Sequence, residues 1–135
     1  LIFRFMDWDQ INEKYSDILL DDQVFLGIED GWEQIITELL GAVKIYQDVN
    51  IDHDDFQPVI FTSIRCNDGW LDVEFEGGDD VVAEIANFSR ILSFKTCEIC
   101  GTIGKLYCAD KWMHWSTKRT LCTSHAVKLF YYRIT

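Results

Sequence analysis

Proline occurs once in the 135 residues, at Pro58, which leaves no proline-rich linker or tail to stay extended and unpacked. No apolar run approaches the ~20 residues that cross a bilayer. The opening LIFRF is short and broken by Arg4, so it lacks the apolar stretch of a secretory signal. These features set the expectation of a cytoplasmic protein with no membrane partner. Basic residues are also scarce: 12 Lys and Arg stand against 23 Asp and Glu, a net charge of −11. A chain of that charge repels nucleic acid and anionic lipid at long range. No phosphate loop, HExxH helix or Ser-His-Asp order occurs, and TLCTSHAVKLF offers one His where a zinc-stapled nuclease needs a second His or Asn on the following helix. The expectation is a protein that is not an enzyme. His53, with Asp52, Asp54 and Asp55, has the residue types of an acid/base or hard-metal site, but no second constellation accompanies it. It reads as a solvated acidic loop, and the three aspartates as a candidate partner-binding surface.

The cysteines number five, Cys66, Cys97, Cys100, Cys108 and Cys122, and an odd count in a reducing compartment argues against a disulfide framework. Thiolates so placed hold metal instead. Cys97-x2-Cys100 sets two sulfurs on one turn, where Gly101 supplies the positive φ that lets neighbouring amides face them. Cys122-x2-His125 follows after residues 101–121, an interval close to that of zinc ribbons and treble-clef knuckles. The four form a Cys3His set for a structural Zn2+ with no open position for water; Cys108 or His114 in place of His125 is the alternative. Cys66, in an apolar strand, reads as a small buried hydrophobe.

Periodicity supplies the frame. Trp8, Ile11, Tyr15, Ile18 and Leu19 fall at helical spacing over residues 7–20, with Asp7 and Asp9 at the favourable end of the dipole. Asp30 and Glu33 make an acidic capping box for a helix whose apolar face is Ile35, Ile36, Leu39, Leu40 and Val43. FQPVIFTSIRC and WLDVEFE flank NDG, a hairpin turn written in residues that tolerate left-handed angles; in the second strand Leu71, Val73 and Phe75 face inward and Asp72, Glu74 and Glu76 outward. DDVVAEIANFSRIL predicts a further helix with Val81, Ile85, Phe88 and Leu92 inward. Short strands are expected near Leu106–Cys108 and Trp112–Trp115, with a closing helix after His125. The predicted architecture is a single α+β domain over 1–135. Helices pack on a small antiparallel sheet in an acidic core (1–95), followed by a zinc-knuckle subdomain (96–135).

Charge is divided along the same line. Residues 1–95 hold 21 of the 23 acids and six of the 12 basic residues, whereas residues 96–135 hold two acids and six basic residues. The run Gly31-Trp32, a hairpin ending Leu71-x-Val73-x-Phe75, and a knuckle of Cys97, Cys100, Gly101, Gly104, Leu106, Thr120, Leu121, Cys122 and His125 together resemble a group of small bacterial proteins of unassigned function. Those proteins share a Gly-Trp helix start, a central hairpin and a C-terminal CxxCG…TLCxxH knuckle. The likeness spans Gly31 to His125. The hairpin departs from it, with acidic CNDGWLDVEF where that group carries a basic Lys-Phe-Gly-Gly-Leu-Arg stretch. In size, acidity and plain α+β frame the chain also resembles the immunity proteins of bacterial toxin–immunity pairs, including those of contact-dependent growth inhibition. That resemblance implies neutralisation of a cognate toxin, expected to be a basic nuclease, by covering its active site; a zinc-knuckle adaptor for nucleic acid or protein, of phage or bacterial origin, is the alternative.

Overall fold

A computed structural model of the chain describes residues 7–113 and 115–134. Among the described residues, four helices and two three-stranded sheets make an α+β fold in the order α1 (Trp8–Lys14), β1 (Phe25–Leu26), a 3-10 turn (Asp30–Trp32), α2 (Glu33–Asn50), β2 (Ile60–Asn67), β3 (Trp70–Glu76), α3 (Asp80–Ser93), β4 (Lys105–Cys108), β5 (Lys118–Leu121), α4 (Thr123–Lys128) and β6 (Tyr132–Arg133). The first sheet runs β1-β2-β3 and the second β5-β4-β6. The residues before Asp7 and His114 lie outside the described residues, so neither the LIFRF opening nor the His114 alternative is placed.

The main core forms where the inner face of α2 meets the N-terminal segment and the first sheet. Trp32, Ile36, Leu40 and Val43 close on Ile11, Ile18, Phe61, Ile64 and Leu71, all removed from solvent. Two polar side chains serve the sheet from the helices. Gln47 Oε1 accepts the Val59 amide at 2.7 Å, and Ser93 Oγ accepts the Leu71 amide at 2.9 Å. Buried amides without such acceptors would each cost about 1–3 kcal/mol. The hairpin turn forms as expected, with Asp68 at φ 51° and Gly69 at φ 97° as its central pair.

Several expectations need correction. The first sheet is mixed, because β1 pairs parallel to β2 through Phe25 and Ile64; α2, lying between them in the chain, carries it back to start β2 in the same direction. Helix α1 stops at Lys14 instead of Leu20. Beyond it the backbone of Ile18 and Leu20 exchanges hydrogen bonds with Phe61 (2.7 and 3.0 Å), a ladder a helix cannot offer. The capping box at Asp30 does not form, and neither Glu29 nor Trp32 caps with its side chain. The Glu33 amide donates instead to the Asp30 carbonyl, closing the 3-10 turn, and the Asp30 carboxylate accepts from Trp8 Nε1 at 3.3 Å.

The inward face of α3 is Val82, Ala86, Ser89 and Ser93, not the predicted stripe; Val81 and Phe88 are exposed and Ile85 and Leu92 half-buried. The helix is turned by about one residue, ~100°, which brings Ser93 to the Leu71 amide and sets small side chains against the sheet. Finally, the partner strand of β4 is Lys118–Leu121 rather than Trp112–Trp115, paired from Lys105–Leu121 to Cys108–Lys118.

The C-terminal part has its own small cluster, Cys97, Tyr107, Leu121 and Ala126, and it is seated on the main core at two places. At one, Asp68 Oδ1 accepts the Lys118 amide at 2.8 Å and Gly69 O accepts from Thr120 Oγ1, joining the hairpin tip to β5. At the other, Trp32 Nε1 donates to Thr96 O at 2.9 Å, and Gly31 lies so close that a Cβ there would sit 2.2 Å from Cys97 O and 2.4 Å from Glu98 C. Only glycine permits that approach, and backbone atoms cannot swing aside. Gly31→Ala is expected to destabilise the protein by about 1–3 kcal/mol in urea unfolding and to raise amide exchange over residues 96–104; an unchanged midpoint and exchange pattern would contradict the contact.

Candidate metal centre

Cys97 enters the site from a tight turn closed on itself. Its amide donates to Thr102 O at 2.7 Å and its carbonyl accepts the Gly101 amide at 2.9 Å. Gly101 adopts φ 79°, the left-handed geometry expected of it, and Cys100 follows at the open side of the turn. The other two donors come from the first turn of α4, where Cys122 is the N-cap and its sulfur accepts the His125 amide at 3.5 Å. Three residues apart, the Cys122 and His125 side chains share one helical face. The closing helix thus begins before His125 and contains it.

The four donor atoms lie within 4.8 Å of one another. Cys100 Sγ is 3.7 Å from Cys122 Sγ, Cys97 Sγ is 3.7 Å from His125 Nδ1, and Cys122 Sγ is 3.2 Å from the same nitrogen. A tetrahedral ion with bonds of about 2.3 Å to sulfur and 2.0 Å to nitrogen has edges of about 3.8 and 3.5 Å. The cluster is therefore already close to the dimensions of one ion, and its donors are close enough to hold it. Four protein donors fill a tetrahedron, which is the composition of a structural site.

The sulfurs differ in their surroundings. Burial pushes the Cys97 thiol up, against the backbone amides of Cys100, Cys122 and Ile99, which favour its thiolate. Cys122 is lowered to about 6, first by the His125 amide and then by the His125 side chain, Cys100 and Thr102, while burial acts the other way. A helix N-terminus presents amides to a sulfur in this way and so favours the charged form that binds metal. Cys108 takes no part: it is buried, and its thiol donates to Asp110 O at 3.2 Å. Cys66 is half-buried against the main core, and burial pushes its thiol up to about 11. The expected loop of Asp52, His53, Asp54 and Asp55 is exposed throughout, far in sequence from the cluster and not part of it.

Sequence reasoning missed the residue that fastens the centre to the protein. Glu98, between the first two ligands, is 5% exposed. Its carboxylate accepts from Arg119 Nε and from the Thr120 amide (3.2 Å), while Arg119 reaches on to Glu29. Burial raises the Glu98 carboxyl, with Arg119 opposing it. The available signal was slight: Glu98 is one of only two acids in residues 96–135 and sits beside two metal ligands. Lys118, next along β5, makes a longer and more exposed contact with Asp68 at 3.5 Å.

Comparison with protein-family models, with curated proteins and with solved structures finds no match to the chain. The resemblance to bacterial immunity proteins therefore has no family match behind it, whereas the knuckle half of the other resemblance agrees with the clustered ligands. No helix among the described residues is long and apolar enough to cross a membrane.

The two neighbouring cations of β5 give opposite expectations. Arg119→Ala leaves Glu98 buried without its charge partner and should cost about 3 kcal/mol; Lys118→Ala removes a surface pair worth at most about 1 kcal/mol. Equal effects of the two substitutions in urea unfolding would show that Glu98 does not depend on Arg119.

Proposed function

We propose that the protein is a stoichiometric inhibitor of a basic protein toxin, an immunity protein of the cytoplasm, with a structural zinc ion holding its C-terminal knuckle. Its action is binding, with no bond made or broken. The observation that carries this reading is how the charges are used. Asp52, Asp54 and Asp55 are exposed, and among the described residues none of them is in an ion pair. The basic residues of the knuckle are partly spent inside the protein, Lys118 on Asp68 and Arg119 on Glu29 and Glu98. What remains outward is mostly carboxylate. A nuclease inhibitor competes with a polyanion, and carboxylates set where phosphates would lie provide both steering and exclusion.

One observation favours the adaptor reading. Trp112 and Trp115 are exposed on the loop between β4 and β5, with Lys111 Nζ 5.3 Å above the Trp112 ring. Exposed aromatics beside a cation are the components of a base-stacking surface. The net charge of −11 opposes it.

Zinc suits a set of three thiolates and one imidazole at these spacings. Protein purified without chelator should contain about one equivalent of zinc by elemental analysis. Cys97→Ser or Cys122→Ser should lose it and raise amide exchange over residues 97–130. Less than about half an equivalent, with all five cysteines titrating in the native state, would remove the zinc assignment.

The inhibitor reading is tested by sequencing the genes on either side: a toxin domain encoded there is the expected finding, and it is then assayed with this protein. Co-expression should protect the cell. In stopped flow the complex should form at ~10^8 M⁻¹s⁻¹ or faster at low salt, with added salt slowing association far more than it speeds dissociation. Reversing Asp52, Asp54 and Asp55 to Lys should flatten that dependence. Tight binding of RNA or DNA at physiological salt, abolished by substituting Lys111 and Trp112, would replace the inhibitor with the adaptor.

A further inference from the structure

Helices α2 and α3 lie antiparallel. At one end Ile35 and Glu38 share a groove of about 660 Å³ with Leu92 and Thr96, beside the Cys100–Gly101 turn. At the other end Tyr46 OH donates to Asp79 Oδ2 at 2.5 Å. On α2, Glu38, Ala42, Ile45 and Val49 are spaced i, i+4, i+7, i+11; on α3, Val81, Ile85, Phe88 and Leu92 have the same spacing. Each set is one stripe of its helix; Glu38 and Leu92 line the groove at one end, and at the other Tyr46 adjoins Ile45 while Asp79 lies two residues before Val81, so the stripes flank the crease. Ile45, Val49 and Phe88 are 69%, 72% and 61% exposed. Single exposed apolar residues are ordinary, but two stripes that flank one crease and continue into a groove make a patch of the kind that marks interaction sites. The sequence pattern is that of a helix face meant to be covered, and within this protein the rotation of α3 leaves it open.

Charge selects the occupant. Glu38 borders the groove, Glu84 stands between Val81 and Phe88 on α3, and Asp52, Asp54 and Asp55 follow directly from the end of α2; all are exposed. The basic residue within each helix is turned elsewhere, Lys44 to Asp17 at 3.2 Å and Arg90 to 5.5 Å over the Trp70 ring; Lys95, past the end of α3 and between Leu92 and Thr96 in sequence, is an exposed cation set against these acids. A second copy would bring a like acidic rim against this one, with both molecules at net −11. A stripe of eleven residues is about 16 Å long, the span of a three-turn helix. We propose that the crease between α2 and α3 docks an amphipathic helix of the basic partner, its apolar side chains entering between Ile45, Val49 and Phe88 and its Lys and Arg meeting Glu38, Glu84 and the Asp52–Asp55 loop. This rests on the reading of the protein as a binder of a basic protein, and names the element it grips.

The probes are two fluorescein-labelled helical peptides of the same leucine pattern, one with Lys and one with Glu at the polar positions, titrated into the full chain and followed by anisotropy. The Lys peptide should bind one to one, and Phe88→Glu or Ile45→Glu should weaken it at least tenfold. Val127→Glu, which changes an exposed apolar residue on α4, should alter it less than twofold. All three positions are exposed, and an unchanged melting temperature confirms the fold. Equal binding of the two peptides, or equal loss in Phe88→Glu and Val127→Glu, overturns the docking site. So does a dimer in sedimentation that Phe88→Glu dissolves, which would make a second copy the occupant. Binding only after removal of residues 1–6 overturns it as well, since the chain's own start would then hold the face. A toxin domain bound with undiminished affinity by Phe88→Glu removes the crease and leaves the acidic-inhibitor reading standing.

Discussion

A carboxylate taken out of water must be surrounded by donors, and in this protein that requirement falls on Glu98, wedged between two metal ligands. Its side chain gathers Arg119 and the Thr120 amide from β5, and its carbonyl takes the Gly31 amide ahead of α2. Its own amide donates to Thr120 O at 2.9 Å. One residue thus joins the turn that carries Cys97 and Cys100 to the strand that delivers Cys122 and to the helix that organises the main core. Burial of a charge is tolerable only when several groups converge on it. Here both donors to the carboxylate come from β5, while the carbonyl of the same residue holds the Gly31 amide, so Glu98 ties its own turn to β5 through its side chain and to the residues ahead of α2 through its backbone.

Much of the candidate site was legible because its signals are local. Cys97, Cys100, Cys122 and His125 stand out by spacing alone, and the structure gathers them without Cys108. The Asn-Asp-Gly turn and the apolar face of α2 are likewise written in a few neighbouring residues. The failures are all tertiary. Helix α3 carries a convincing apolar stripe, yet the sheet needed the Ser93 hydroxyl at Leu71, and no feature of the helix alone reveals that demand. The same holds for Ile18 and Leu19, which have helical spacing and are drawn out of the helix by Phe61. The strand opposite β4 had to lead straight into Cys122, and the register that places Leu121 beside Lys105 follows from the ligand positions rather than from the aromatic residues before them.

The acidity of the chain and its metal centre occupy different parts of one molecule and play different parts in the proposed binding. An ion held there would secure the C-terminal third without meeting the proposed partner through its ligands, since four protein donors leave no place for a fifth group. The carboxylates act outward, at distances over which salt can screen them. Between the two runs the crease of α2 and α3, with the exposed Glu38 and Glu84 on its helices and the Cys100–Gly101 turn at one end. In the proposed binding, long-range attraction and short-range apolar fit address the same surface.

The contacts that seat the knuckle span very different lengths of chain. Cys97 and His125 are 28 residues apart, Asp68 and Lys118 are 50 apart, and Glu29 and Arg119 are 90 apart. Because the entropy of closing a loop grows with the logarithm of its length, the metal loop closes at a cost about 1 kcal/mol below the longest of these. An ion can therefore tie the C-terminal residues together while they are still a free appendage, with Glu98 hydrated and Gly31 waiting. With an ion held by the four donors, knot first and mooring second would be the favoured order of assembly, and metal supply would bear on how quickly a newly made molecule reaches its finished form.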